Sequence, residues 1–276
     1  MNKKITCFNA ACVQVSANNK MIENVDISLS LIRTAILNGA EFIFLPENVS
    51  MMDWGKKNIE LSAVKECAHP ALSEYRSIAE ECNVWLNCGS LTILLEDSSI
   101  VNRSYLINPD GKIASYYDKI HMFDVDLGNG QRYLESSTYA PGNNLVVAPT
   151  PWGAIGLTIC YDMRFPHLYR DMAKKGVNMI SIPSAFTSIT GIAHWHTLLR
   201  ARAIETGSFI FAAAQTGEHP GSRQTYGHSL IVDPWGVVLA DAGDEVGVIY
   251  SQININEVAI ARKKIPSLTH DREYNI

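Results

Sequence analysis

The chain has 276 residues, 47% hydrophobic and 18% charged, with 23 Lys and Arg against 28 Asp and Glu and a formal charge of −5. That apolar fraction excludes a disordered chain, and the length suffices for a sizeable core. The acidic balance argues against a phosphate-binding surface, and so against nucleic acid as a partner, while no run of 18 apolar residues offers a membrane span.

The start, MNKKITCFNAACVQV, places a charged head before a partly apolar stretch, as a signal peptide would. Thr6, Asn9 and Gln14 interrupt that stretch, which favours a first β-strand near 5–13. Ile22, Val25, Leu29, Ile32 and Ile36 recur at helical spacing over 21–38, with Gly39 as the stop. The short apolar run Phe42–Leu45 ends at Pro46. A helix near 70–82 leads to strands around 84–95, and 100–117 forms a hairpin about Pro109-Asp110-Gly111. A strand pair flanks Pro151-Trp152-Gly153 and ends at Ile159. Helices near 167–175 and 193–206 precede strands at 178–182 and 208–214. Asp233-Pro234-Trp235-Gly236 turns another hairpin, a strand follows near 246–253, and Ile255–Lys264 forms a last helix.

No repeat, low-complexity segment or Ser/Gly linker divides 1–276, so a single domain is expected, with 255–276 available for assembly contacts. Strands mixed with helices and hairpins predict α/β layers, and so many strands pack best as two mixed sheets face to face with helices outside. The six cysteines (Cys7, Cys12, Cys67, Cys82, Cys88, Cys160) are scattered through apolar or helical stretches with no CxxC pair. This predicts packing residues in a reducing, cytoplasmic setting, not a disulfide framework.

Three polar residues end apolar strands: Glu47 after Phe42–Pro46, Lys119 after Ser115–Asp118, and Cys160 after Ala154–Ile159. Ligand clefts in layered α/β folds open at strand ends, so a carboxylate, an ammonium and a thiol brought together there would make a nucleophilic site without histidine. Taken singly, Glu47 and Lys119 are more commonly solvated loop residues and Cys160 a packing residue. His121, two positions beyond Lys119, admits a Cys-His hydrolase as an alternative. His194 and His196 invite a metal reading; on a helix that spacing points the rings apart, with no carboxylate or cysteine nearby in sequence, so no metal is expected.

The segments FLPENVS (44–50), YDKIHMFDVD (117–126) and GLTICYDMRFP (156–166) resemble the three catalytic motifs of the nitrilase superfamily of carbon–nitrogen hydrolases. The resemblance continues through 133–143, 182–206 and 226–236, and so covers the chain from Ile5 to beyond Gly236. It implies a four-layer αββα sandwich that assembles into homodimers or larger homo-oligomers, and a Glu-Lys-Cys triad on Glu47, Lys119 and Cys160 acting through a thioester. In that scheme Lys119 favours the thiolate, Glu47 shuttles the proton, and Lys119 with the Tyr161 backbone N–H holds the oxyanion. No cofactor has a part in it. Glu135 matches the family's additional glutamate, steering substrate or water, while Asp162 and Arg164 shape the turn after the nucleophile. Many relatives carry Glu where His167 and His196 stand here.

Segment 186–236 is most similar to the branch that hydrolyses deaminated glutathione to α-ketoglutarate and cysteinylglycine; omega-amidases acting on 2-oxoglutaramate are the nearest alternative. A non-catalytic interaction protein on the same scaffold is the alternative of another class. An anionic small-molecule amide calls for arginines at the cleft, with Arg132, Arg164 and Arg223 as candidates and Ser184, Phe186 and Thr190 as candidate lining.

Overall fold

The computed structural model describes residues 6–128 and 132–275. Its six α-helices are α1 (Met21–Leu37), α2 (Lys56–Ser62), α3 (Pro70–Cys82), α4 (Pro166–Lys174), α5 (Ser188–Thr206) and α6 (Asn256–Lys264). Period-two alternation sets the layering. In the strand Cys7–Gln14, Phe8, Ala10 and Cys12 face one apolar cluster while Ala11 and Val13 face another; Phe42 and Phe44 divide from Ile43 in the same way. A strand apolar on both faces is stable only between two apolar layers. One layer is α1 and α3, which set Val25, Ile32, Leu72, Tyr75 and Ile78 against the sheet. The other is a second sheet, met where Phe44 stacks on Phe211 at 4.3 Å between ring centroids and Phe8 stacks on Trp152, also at 4.3 Å. The far face of that sheet carries α4 and α5 through Tyr169, Met172, Trp195 and Leu199. This is the αββα sandwich expected.

Among the described residues the first sheet has eight strands, ordered Gly247–Asn254, Cys7–Gln14, Phe42–Phe44, Trp85–Asn87, Ile100–Ile107, Leu91–Leu94, Val64–Lys65, with Ile113–Asp118 also paired to Ile100–Ile107. The second has six, ordered Val146–Thr150, Gly153–Leu157, Val177–Ser181, Phe209–Ala212, Leu230–Val232, Val238–Asp241. Both mix parallel and antiparallel pairs. No described helix is long and apolar enough to cross a membrane.

The strands expected around 84–95 are two, both paired to Ile100–Ile107 and separated by Cys88-Gly89-Ser90. Other expectations need correction. Helix α5 begins at Ser188, not near 193, because Gly191 lets the helix lie against Tyr226; a Cβ there would come within 2.3 Å of that side chain. Helix α2 was not foreseen; it buries no residue, so it carries no apolar periodicity. The short polar hairpins Asp124–Asp126/Arg132–Leu134 and Thr216–His219/Arg223–Tyr226 were missed for a similar reason. The first strand runs Cys7–Gln14, and residue 5 lies outside the described residues. All six cysteines are free, but Cys7 and Cys67 are exposed and Cys82 half-buried, so only Cys12 and Cys88 join Cys160 in the interior. Beyond 255, the chain packs on itself: Arg262 Nε donates to Thr206 O at 3.0 Å, and Asp271 pairs with Arg170 and Lys174.

Candidate active site

The three strand-end residues meet. Lys119, immediately after Ile113–Asp118, donates from Nζ to Glu47 Oε1 at 2.9 Å and to both oxygens of Glu135 at 2.9 and 2.8 Å. Glu47 and Lys119 are 3% and 2% exposed, so neither charge could persist there without its partner. Glu47 is further fixed by Asn102 Nδ2 at 3.0 Å and by the Ala185 backbone N–H at 2.8 Å, while its own carbonyl accepts from Gln215 Nε2 at 2.9 Å. Glu135 opens a one-turn 3₁₀ element after Arg132–Leu134 and accepts the Phe123 N–H at 2.6 Å.

Cys160 opens the turn Cys160–Arg164 with φ +49°, a left-handed conformation that costs a non-glycine residue about 1–2 kcal/mol. Hydrogen bonds on both sides hold it. Its N–H donates to Pro183 O at 2.9 Å, and the fully buried Asp162 carboxylate accepts from Ile159 N at 2.9 Å and Tyr117 OH at 2.7 Å. His121 completes that network, with its Nδ1 2.7 Å from Asp162 Oδ1 and its ring stacked 3.5 Å from Phe165. His121 thus turns into the support beneath Cys160 and does not line the cleft, which speaks against a Cys-His pair.

The charges do not act as the resemblance implied. Lys119 was expected to favour a thiolate, but it is shared between two carboxylates. Burial, followed by Glu47, pushes the Cys160 thiol well up, outweighing Lys119. Burial opposes the ammonium of Lys119 as well, yet Glu135 and Glu47 hold it firmly protonated. Burial alone would raise the Glu47 carboxyl; Lys119, Arg223 and a hydrogen bond with Cys160 together bring it below its ordinary value. The resting site is therefore a protonated thiol beside a carboxylate, a pair ready for proton transfer during attack.

These groups line one cavity of about 270 Å³. Tyr161, Phe186, Thr190, Arg132 and Arg223 line it as expected, together with Lys56, Trp54, Phe123 and Tyr133, which the sequence did not single out. Arg223 donates from NH2 to Ala185 O at 2.6 Å, while its buried Nε has no hydrogen-bond partner. Two expected residues lie elsewhere. Ser184 is fully buried and donates to Ile182 O at 3.1 Å, and Arg164 turns away to cover the Phe186 ring and meet His194 Nδ1 at 3.3 Å. Asn102 was missed; it lies in Ile100–Ile107, a strand buried along its whole length, where a polar side chain needs a partner.

Gly89 positions the Glu47 loop. It has φ +64°, and a Cβ there would sit 1.9 Å from Pro46 O. Gly89→Ala is expected to displace the Pro46-Glu47 backbone and lower kcat by about 10²-fold, since a shift of about 1 Å in a catalytic group costs that much. Steady-state kinetics on a variant with an unchanged circular dichroism spectrum checks this; full activity would mean the loop tolerates the displacement.

Comparison with known proteins agrees with this architecture. The family described as "Carbon-nitrogen hydrolase" matches residues 9–263. A deaminated glutathione amidase of Synechocystis is 37% identical over 95% of this chain and 97% of its own, and the human protein of that name is 38% identical over 95% of this chain and 81% of its own. The crystal structure of the Caenorhabditis elegans NitFhit protein superposes with a TM-score of 0.90 at 35% identity, covering 98% of this chain and 66% of that one. A match over nearly the whole sandwich, carrying the strand ends that bear Glu47, Lys119 and Cys160, places the chain in the carbon–nitrogen hydrolase family.

Proposed function

We propose that this hydrolase is a Glu-Lys-Cys amidase whose substrate is deaminated glutathione. The observation that carries the chemistry is the convergence of Glu47, Lys119, Glu135 and Cys160 on one cavity wall. Cys160 Sγ attacks the amide carbon as Glu47 takes the thiol proton. The tetrahedral oxyanion is held by Lys119, already oriented by its two carboxylates, and by the Tyr161 N–H. As the C–N bond breaks, Glu47 passes the proton to the departing amine, leaving an acyl thioester on Cys160. Glu47 then deprotonates a water that attacks the thioester, and the proton returns to the sulfur as the acid leaves. Glu135 keeps Lys119 from collapsing fully onto Glu47 and so leaves Glu47 available as the base.

Substrate choice rests on charge and on the relatives' names. Deaminated glutathione carries a carboxylate at each end, and the cavity offers Arg223, Arg132 and Lys56 around the reacting thiol. Arg223, with an unpaired Nε and its guanidinium 5.6 Å from the Tyr133 ring centroid, is the anchor for a substrate carboxylate. Arg223→Met is expected to raise KM about tenfold or more with a smaller fall in kcat, the cost of one charged hydrogen-bonded contact. The test of the substrate is a comparison of kcat/KM for deaminated glutathione, 2-oxoglutaramate and 2-oxosuccinamate. Deaminated glutathione should lead by a wide margin; a lead for the small keto amides would make the enzyme an omega-amidase.

A further inference from the structure

Away from the cleft, three side chains from three elements converge. His196 comes from α5, His228 precedes the strand Leu230–Val232, and Asp241 ends the strand Val238–Asp241. His196 Nε2 lies 3.0 Å from Asp241 Oδ2, His228 Nδ1 lies 2.9 Å from Asp241 Oδ1, and the three donor atoms all fall within 4.8 Å of one another. We propose that His196, His228 and Asp241 form a binding site for a divalent transition cation of the zinc class, independent of the amidase chemistry.

The donor set selects the cation. Two imidazole nitrogens and one carboxylate oxygen suit zinc, nickel or copper, whereas magnesium and calcium prefer oxygen alone. Around a tetrahedral zinc, with bonds of about 2.0–2.1 Å, ligand atoms stand about 3.4 Å apart. Two separations here are 3.0 and 2.9 Å and no pair of donor atoms is more than 4.8 Å apart, so small side-chain adjustments reach that value. The side chains are 27–35% exposed, open enough for water to complete the coordination sphere.

The scaffold is in place before any cation arrives. His228 adopts φ +54°, and its backbone is tied at both ends: its N–H donates to Gly243 O at 2.6 Å and its carbonyl accepts from Trp195 Nε1 at 2.7 Å. Tyr226 stacks on the His228 ring at 4.4 Å between centroids, and Asp241 Oδ1 also accepts the Gly243 N–H at 2.9 Å. Such outer contacts orient ligands and commonly govern metal affinity. His194, in contrast, turns to Arg164, so the pair that invited a metal reading in the sequence is not the pair that converges. The cation would tie α5, whose first turn brings Thr190 to the cleft, to the last hairpin of the second sheet.

The alternative is a His-Asp-His hydrogen-bonded clasp with no affinity for metal, and titration of the full chain separates the two. After EDTA treatment and dialysis, Zn²⁺ is titrated by calorimetry and Co²⁺ by visible absorption. The expected result is one equivalent bound, Co²⁺ bands of nitrogen and oxygen ligation, and affinity weakened at least about tenfold in both His196→Gln and His228→Gln. A rise in melting temperature with Zn²⁺ should appear in the wild type and vanish in both variants, whose own melting transitions also establish that they fold. Absence of binding, binding unchanged in both variants, or a thiolate charge-transfer band abolished by Cys7→Ser or Cys67→Ser would overturn the proposal. Amidase turnover of the metal-stripped enzyme reports separately on the catalytic proposal.

Discussion

Cys160→Ala is expected to abolish turnover, with kcat falling by about 10⁶-fold, the scale of loss when a covalent nucleophile is removed from a preorganised site. The reason lies in what remains. Glu47 and Lys119 would still be paired at 2.9 Å, but with no atom to form the acyl intermediate the amide faces water directly. Cys160→Ser should be inactive as well. Its hydroxyl is a weaker nucleophile than the thiol, and the Glu47 carboxylate, held below its ordinary basicity, is a poor base for it. Both variants should keep the wild-type fold, because the turn is supported from beneath by Asp162, Tyr117 and His121 and not by the sulfur. Hydrolysis near the wild-type rate in Cys160→Ala would exclude Cys160 as the covalent nucleophile.

Lys119→Met should damage both stability and activity. Methionine preserves much of the volume but leaves Glu47 and Glu135 facing each other without the cation that now touches both. Breaking a buried ion pair by removing one partner costs about 3–5 kcal/mol, and chemical denaturation should register a loss of that size near neutral pH. The pH dependence gives a second signature. In the wild type, the depressed carboxyl of Glu47 contributes stability that is present above the unfolded carboxylate range and lost as pH falls through the folded value. In the variant, burial without a cation favours protonated carboxyls, so acid stabilises it relative to neutral pH. The gap between the two proteins should therefore narrow as pH falls toward the carboxylate range. A constant gap would mean that Lys119 stabilises by packing alone.

Much of this arrangement was legible because it depends on buried strands. Phe42–Phe44 and Gly153–Leu157 are apolar and largely buried, Ile113–Asp118 is a half-exposed strand with Tyr117 turned inward, and each hands the chain within three residues to Glu47, Cys160 or Lys119 respectively. The αββα layering comes from the same alternation, read on both faces of Cys7–Gln14. What escaped is carried by short or polar elements. Glu135 was placed by the resemblance alone; it sits on a one-turn 3₁₀ element behind a three-residue strand, so its pairing with Lys119 left no local pattern to read. Helix α2 has no buried face to leave a period, and α5 begins in Ser-Ile-Thr-Gly, which has the composition of a loop until Tyr226 packs against Gly191. The convergence of His196 with His228 and Asp241, 32 and 45 positions further along the chain, depends on tertiary folding that local pattern does not encode. Arg164 was a candidate for the cleft on the charge of the expected substrate and Ser184 as lining, and packing turns both elsewhere.

The central claim is that a neutral Cys160 thiol becomes an acyl thioester through Glu47. Rapid-quench mass spectrometry of the intact enzyme mixed with deaminated glutathione tests it most directly. The account predicts an added α-ketoglutaryl group that maps to the peptide containing Cys160, forms and decays within turnover, and does not form in Glu47→Gln. Turnover of the substrate with no adduct in an acid quench fast enough to trap one, or an adduct on any other residue, would contradict it.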